Sequence, residues 1–202
     1  MYAKLVRRFM VYSPKAPKIE KSTYYQIQTS RRSRVLFPNL REVYCYGNSE
    51  EVSFLLCPSL HRVVILEGER SDPPSLSIST FVSALSKICP DVQSLEAYVD
   101  LPRSALHSIQ KLQQLQYLGL KSLAPFSSNI EHIIGISLLP NLQLLQFSEA
   151  HWSDRELQKL KYPPISYPPE AFRALQRLEL CTSLESIVNA LPSFISPNLT
   201  TF

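Results

Sequence analysis

The stretch LFPNLREVYCYG, residues 36–47, carries the pattern that decides the fold of this chain. A proline stands two residues before Leu40, and apolar residues occupy the fourth and sixth positions counted from Leu40, which are Val43 and Cys45. In a β-strand this alternation places both side chains on one face and directs neighbours such as Tyr44 to the other. The stretch therefore predicts a short, half-buried strand entered directly after a proline.

The same pattern recurs along the chain at irregular intervals. Its anchor position is taken in turn by Leu40, Leu60, Val92, Leu115, Leu142, Leu175 and Leu199, with spacings of 20, 32, 23, 27, 33 and 24 residues. The fourth and sixth positions are apolar in six consecutive copies: Val43 and Cys45, Val63 and Ile65, Leu95 and Ala97, Leu118 and Leu120, Leu145 and Phe147, Leu178 and Leu180. The form L-x-x-L-x-L is that of a leucine-rich-repeat strand.

Segments with helical spacing separate these strands. One-sided apolar spacing is found after Ser79 at Phe81, Val82, Leu85 and Ile88, then at Ile130, Ile133, Ile134 and Leu138, and finally at Leu184, Ile187, Val188, Leu191 and Phe194. Two capping-box pairs mark further helix starts, Ser153 with Glu156 and Thr182 with Glu185. The alternation predicts an α/β fold, an open leucine-rich-repeat solenoid with short parallel strands on the concave face and helices on the convex face.

The charge divides the chain into two parts. Residues 1–41 hold ten Lys and Arg against one acid, whereas residues 42–202 hold eleven against sixteen, so the formal charge of +4 separates into +9 and −5. We expect a basic, partly helical N-terminal segment, 1–35, and an irregular repeat domain of about six to seven repeats, 36–202. Because the seventh repeat has barely begun when the sequence ends and solenoids need a polar terminal cap, we expect either a truncated form of a longer protein or a partner bound at that end.

Composition and motifs argue against catalysis. The chain has only four glycines, and it contains neither of the glycine-rich phosphate-binding motifs nor a GxSxG nucleophile turn. The four cysteines form no CxxC pair and the four histidines no HExxH motif, so we expect no metal, no cofactor and no enzymatic activity. Cys45, Cys57 and Cys89 occupy apolar repeat positions and should be buried, whereas Cys181 should face outward.

The sequence shows no signal for export or membrane insertion. No apolar run approaches the roughly 18 residues of a membrane span, and no secretory signal peptide follows Met1. We therefore expect an intracellular protein, cytoplasmic or nuclear, that does not engage a membrane.

The outward strand positions are the best candidates for function, since a stacked sheet presents them side by side. Tyrosine and arginine dominate the energetics of protein interfaces. Six such residues fall on the predicted concave face, and we predict that they bind a protein target: Tyr44, Tyr46, Arg62, Tyr98, Tyr117 and Arg177. The alternative is that these tyrosines only cover the sheet, because aromatic residues favour strands in any case.

Five stretches carry a resemblance to a known family: LVRRFMVYSPK at 5–15, LFPNLREV at 36–43, and the repeat openings LCPSL, ICPDV and LLPNL. Together they resemble the leucine-rich-repeat region of fungal, mainly basidiomycete, F-box proteins. The resemblance implies a substrate receptor of a ubiquitin ligase, in which the repeats hold the protein to be modified. The F-box itself has no counterpart in these residues, so a ligase adaptor would be engaged only if an F-box is supplied elsewhere.

A second hypothesis assigns function to the basic segment. Its cations could contact nucleic-acid phosphates while the repeats serve as scaffold, the candidates being Arg7, Arg8, Lys15, Lys18, Lys21, Arg31, Arg32 and Arg34. No RNA- or DNA-reading motif accompanies them, and a solvated entry segment is the better explanation of these charges. We therefore favour a protein partner over nucleic acid.

Overall fold

The computed structural model describes residues 5–11, 26, 36–46, 53, 55–66, 75–99, 101–121, 130–148, 168, 170–181 and 200. Within these ranges seven parallel strands form one open sheet whose spatial order follows the chain. The strands are β1 Arg8–Val11, β2 Glu42–Tyr46, β3 Arg62–Leu66, β4 Ser94–Tyr98, β5 Tyr117–Leu120, β6 Leu144–Phe147 and β7 Arg177–Leu180. The helices are α1 Ser75–Ile88, α2 Arg103–Ile109 and α3 Ile130–Ser137. The predicted open α/β solenoid is confirmed.

Neighbouring strands pair so that each repeat position lies beside the same position of the next repeat. Val43 is opposite Val63, which in turn is opposite Leu95, and this register continues to β7. Eleven of the twelve predicted inward side chains are buried, and Leu180 is half-buried. The alternation read from the sequence therefore gave the strand faces correctly from β2 to β7.

A tight turn precedes strands β2 to β7. In each, the N–H of the anchor residue donates to the carbonyl three residues earlier, as from Leu40 to Phe37 at 3.1 Å and from Leu60 to Cys57 at 3.1 Å. The repeat prolines Pro38, Pro58, Pro90 and Pro140 take the second position of these turns, where their fixed φ is preset. Proline therefore shapes the strand entry at a place where no backbone donor is needed.

A ladder of shared carbonyls joins consecutive repeats at the strand entries. The carbonyl of Arg41, for example, accepts from the N–H groups of both His61 and Arg62 at 2.8 and 2.9 Å. The carbonyl of His61 does the same for Gln93 and Ser94. We call this the carbonyl ladder; its acceptors are Arg7, Arg41, His61, Gln93, Gln116, Gln143 and Gln176.

Polar side chains in the turns add further links between repeats. Asn141 Nδ2 donates to the carbonyl of Gln113 at 2.9 Å, and Ser59 Oγ lies 2.7 Å from the carbonyl oxygen of Pro38. Asn141 and Ser59 each directly follow a repeat proline. Each bonds to the carbonyl of the residue two positions before the anchor of the preceding repeat. The asparagine that regular leucine-rich repeats carry three positions after the last apolar strand residue occurs in the first repeat, as Asn48, and is replaced in later repeats, for example by Gly68 and Leu123. The turn residues supply part of the cohesion between such repeats.

The helices pack against the inward side of the sheet. Phe81, Val82 and Leu85 of α1 are buried in the same core as the inward strand residues, together with Leu106 and Ile109 of α2. Between the two helices, Ser79 Oγ and Ser104 Oγ are 2.6 Å apart. No helix in the described ranges has the length and apolar character required to cross a membrane.

Two details of the predicted helices are wrong. Helix α1 begins at Ser75, four residues before the predicted start at Ser79. Ile88 and Leu138 were expected on buried helix faces but are 42% and 43% exposed. Each immediately precedes a buried residue of the turn, Cys89 or Leu139, which takes the inward position instead. Helix α2 was not predicted at all.

The sheet also extends into the basic N-terminal segment. Strand β1 pairs in parallel with β2, with Arg8 beside Glu42 and Phe9 beside Val43. Phe9 packs against the core, and its ring lies 5.4 Å from that of Phe37. The segment 1–35 thus contributes one strand to the sheet. The division at residue 35 stays a prediction, because most of this segment lies outside the described residues.

Several predicted features lie outside the described residues. These are the anchor Leu199, the helix expected over residues 184–194, and both capping-box pairs. The N–H of Thr200 donates to the carbonyl of Gln176 at 2.9 Å, which continues the carbonyl ladder beyond β7.

Candidate functional site

The side of the sheet that faces away from the core carries three rows of side chains, and we call it the outward face. The first row contains Arg8, Glu42, Arg62, Ser94, Tyr117, Leu144 and Arg177. The second contains Met10, Tyr44, Val64, Glu96, Gly119, Gln146 and Glu179. The third includes Tyr46, Leu66 and Tyr98. All six predicted site residues belong to these rows.

Tyr44 stands at the centre of a charged cluster on β1 to β3. Glu42 Oε2 accepts hydrogen bonds from Arg8 Nε at 2.9 Å and from the Tyr44 hydroxyl at 3.1 Å. The guanidinium carbons of Arg8 and Arg62 each lie 5.7 Å from the centroid of the Tyr44 ring. At this distance a guanidinium is attracted to the ring quadrupole, so Tyr44 is held by two cation–π contacts and one hydrogen bond.

Glu96 forms the second cluster, which Arg62 joins to the first. Its Oε1 accepts from Arg62 Nη2 at 2.6 Å and from Arg62 Nε at 3.1 Å, and its Oε2 accepts from the Tyr98 hydroxyl at 2.9 Å. Glu96 is a carboxylate only 6% exposed, yet both of its oxygens have donors. A buried charge is tolerated when it is paired in this way.

The same contacts shift the pKa values of the partners. The hydrogen bond to Glu96 raises the pKa of Arg62, so this guanidinium stays charged. Burial, followed by the hydrogen bond to the Glu96 carboxylate, raises the pKa of the Tyr98 hydroxyl. Tyr98 is therefore a neutral hydrogen-bond donor at physiological pH.

Tyr117 continues the polar network toward β6. Its hydroxyl donates to Gln146 Oε1, and burial, followed by the nearby Glu96 charge, raises its pKa to about 12. Gly119 makes room for this arrangement, because a Cβ at that position would lie 3.2 Å from the Tyr117 hydroxyl and 3.3 Å from Glu96 Cγ. The missing side chain lets the Tyr117 hydroxyl and the Glu96 side chain lie next to each other.

The structure brings four of the six predicted site residues together. Arg62 contacts the Tyr44 ring and is linked to Tyr98 through the Glu96 carboxylate, and Tyr117 lies beside Glu96 across Gly119. Arg177 lies apart on β7, where its Nη2 is 2.5 Å from Glu179 Oε1. Tyr46 lies beside Leu66 in the strand register, and its side chain is outside what the structure describes.

Glu42 and Glu96 are site residues that were not predicted, and Arg8 was predicted only as a phosphate contact. Glu42 and Glu96 fall on outward positions by alternation alone, but their ion pairs run to neighbouring strands over 34 residues of sequence. These ion pairs can be recognised only from the register between repeats, which places Arg8 beside Glu42 and Val64 beside Glu96.

The cysteines agree with the prediction. Cys45, Cys57 and Cys89 are buried and Cys181 is exposed, and none is in a disulfide. Burial raises the pKa of the Cys45 and Cys89 thiols to about 12, as expected of cysteines that pack as apolar side chains. In the described ranges, no group of three or more histidine, cysteine or acidic residues is placed to hold a metal ion.

Comparison with known proteins gives a distant structural similarity. No protein family and no curated protein matches the chain. Among solved structures, an internalin from Listeria monocytogenes strain 4b F2365 is similar over 80% of this chain, with 12% sequence identity and a TM-score of 0.40. The chain spans about half, 48%, of the length of that protein. The resemblance to F-box proteins stays a prediction from the sequence.

Proposed function

We propose that this chain is a protein-interaction module whose outward face is the contact surface. The observation that supports this most strongly is the connected network of Arg8, Glu42, Tyr44, Arg62, Glu96 and Tyr98, which spans four adjacent strands. Its tyrosines and arginines are the residue types that provide most of the energy in protein interfaces, and its two glutamates hold them in place.

The network also lowers the cost of binding. Tyrosine and arginine side chains normally lose rotamer entropy when a partner immobilises them. Here Tyr44 is already held between two guanidiniums, and the hydroxyl of Tyr98 is already bonded to Glu96. The face is therefore preorganised, which favours affinity over a surface with the same composition and no internal contacts.

A direct test places a photo-crosslinking amino acid on each side of the molecule. Ser94 lies in the first row of the outward face between Arg62 and Tyr117, whereas Lys87 is exposed on α1. We expect the chain labelled at position 94, expressed in its native cells, to form covalent adducts with a defined set of proteins. Adducts at position 87 only, or equal adducts at both positions, would refute the assignment of the face.

The tyrosines provide the energetic test. Replacing Tyr98 and Tyr117 with alanine should weaken capture of a crosslinked partner by about 2 kcal/mol or more if these rings are anchors. Gln114→Ala, at an exposed turn position, is the matched control and should leave capture unchanged. If the double variant melts normally and captures the partner as the unmodified chain does, these two tyrosines are outside the interface.

We further propose that the chain acts as a substrate receptor of the F-box type, whose partner is the protein to be ubiquitinated. The support is the resemblance carried by residues 5–15 and by the repeat openings, together with a repeat fold that offers a preorganised face. Affinity purification with a tagged chain should recover the ubiquitin-ligase adaptor if an F-box is supplied with it. Recovery of target proteins without the adaptor would retain the interaction module and remove the ligase role.

The nucleic-acid hypothesis has less support. Among its candidates only Arg7 and Arg8 lie in the described residues. Arg8 is paired with Glu42, and the carbonyl of Arg7 belongs to the carbonyl ladder. Titration with single-stranded DNA at two salt concentrations tests it, because phosphate binding should weaken steeply with salt. We likewise expect no enzymatic activity from this chain.

A further inference from the structure

The three ion pairs of the outward face share an asymmetry in exposure. The side chains of Arg8 and Glu42 are 59% and 29% exposed, and those of Arg62 and Glu96 are 42% and 8% exposed. For Arg177 and Glu179 the values are 54% and 27%. In every pair the arginine side chain is at least twice as exposed as the glutamate side chain, so an approaching molecule meets more of the arginine.

The exposed guanidiniums keep donors available. A guanidinium has five N–H groups. Arg8 uses its Nε on Glu42, and Arg62 uses Nε and Nη2 on Glu96. Within the described part of the chain, the Nη groups of Arg8 and the Nη1 group of Arg62 bond to no acceptor. Because the side chains of Arg8 and Arg62 are 59% and 42% exposed, their remaining N–H groups can be reached by a carboxylate.

These three arginines lie in one row that crosses the sheet. Arg8, Arg62 and Arg177 occupy the first row on β1, β3 and β7. With neighbouring strands about 4.8 Å apart, the row places them about 10 and 19 Å from one another along its length. An extended segment in the polyproline II conformation rises about 3.1 Å per residue with three residues per turn, so carboxylates three and six residues apart lie on one side and match these intervals.

We propose that the outward face binds an acidic, extended segment of a partner protein along the row of Arg8, Arg62 and Arg177, an inference that rests on the proposed function. Charge complementarity selects this occupant. Each carboxylate of the segment meets an exposed guanidinium edge, while Tyr117 and Leu144, between Arg62 and Arg177 in the row, offer apolar contact.

The same arrangement disfavours a nucleic acid on this face. The six charges of the three pairs sum to zero, so the face lacks the uniform positive field on which polyphosphate binding depends. A continuous polyanion would also meet the Glu42 and Glu179 carboxylates, which remain partly exposed.

The test uses synthetic probes and the whole chain. A fluorescent twelve-residue peptide with glutamates three and six residues apart should bind in an anisotropy titration, and the same peptide with glutamine at those positions should not. Arg8→Gln and Arg177→Gln should each weaken binding about three- to fivefold, the range of an exposed ion pair. Lys87→Gln and Lys111→Gln remove the same charge from exposed positions outside the outward face and should have no effect.

Two further variants exclude a simple effect of folding or net charge. Arg62→Lys keeps the charge but loses the planar guanidinium, so it should also weaken peptide binding. Its melting temperature is measured alongside to detect a loss of folding. Glu42→Gln removes a recessed carboxylate and should tighten binding.

Absence of glutamate-peptide binding, or equal losses in the control variants, would overturn the proposal. Arginine-dependent binding of a twenty-nucleotide oligothymidine that is tighter than that of the peptide would overturn it in favour of a nucleic acid. If the glutamate peptide fails while position 94 still crosslinks proteins, only the acidic ligand is refuted. If both fail, the proposed function is refuted as well.

Discussion

Replacing Arg62 with methionine tests whether the outward face is held together by its buried carboxylate. The substitution keeps the aliphatic part of the side chain and removes the guanidinium. Glu96, whose side chain is 8% exposed, would lose both bonds to Arg62 and keep only the Tyr98 hydroxyl at 2.9 Å. Tyr44 would lose one of its two cation–π contacts.

The expected loss of stability follows from the burial of the Arg62–Glu96 ion pair. Removing one partner of a fully buried ion pair costs about 3–5 kcal/mol, because the other charge is left uncompensated. The Arg62 side chain is 42% exposed, so water can replace part of what it supplies to Glu96, and we reduce the cost by about half. We expect Arg62→Met to lower the free energy of unfolding by about 2 kcal/mol, a loss that urea denaturation followed by circular dichroism can measure.

The chain contains a matched control for this experiment. Arg177 forms an ion pair of the same type in the same row, but the side chains of Arg177 and Glu179 are 54% and 27% exposed. An exposed pair contributes little, so Arg177→Met should cost about 0.5 kcal/mol or less. Adding Glu96→Gln to Arg62→Met should recover about 1 kcal/mol, because the uncompensated charge is gone. Equal losses for the two single variants would refute the reasoning from burial.

Two further predictions concern ionisation and access. Of the four thiols, only that of Cys181 should react with Ellman's reagent in the native protein, since Cys45, Cys57 and Cys89 are buried; a second fast thiol would contradict this packing. Tyr117, whose pKa is raised to about 12 by burial, should keep its proton in the folded state while the unfolded chain loses it near pH 10. Stability should therefore fall by on the order of 1 kcal/mol between pH 10 and 12, after allowance for solvent screening, and Tyr117→Phe should lose less over the same interval.

Repetition explains why so much of the sheet could be predicted. A single strand with alternating apolar residues is a weak signal, but six aligned copies fix both the face and the register of β2 to β7. Strand β1 was missed because its sequence, RFMV, shows neither the anchor leucine nor the repeat proline. Its place becomes evident only when Arg8 is beside Glu42 and the Arg7 carbonyl begins the carbonyl ladder.

The residues of the candidate site could be predicted from the sequence, but the contacts between them could not. Alternation directed Tyr44, Arg62 and Tyr98 outward, and the structure places them there. That Arg62 reaches Glu96 on the next strand, and that Gly119 leaves space for Tyr117 beside Glu96, depends on rotamers and distances between repeats. Local sequence contains no information about such contacts, because their partners are separated by intervals of irregular length.

The carbonyl ladder has a consequence for how this protein could change. Its bonds use main-chain atoms only, and arginine, histidine and glutamine all serve as acceptor residues. The identity of the outward side chains is therefore uncoupled from the bonds that hold adjacent repeats together. Substitutions along the outward rows could replace one specificity by another while the architecture persists, so the domain is suited to diversification by selection, in nature or in a combinatorial library.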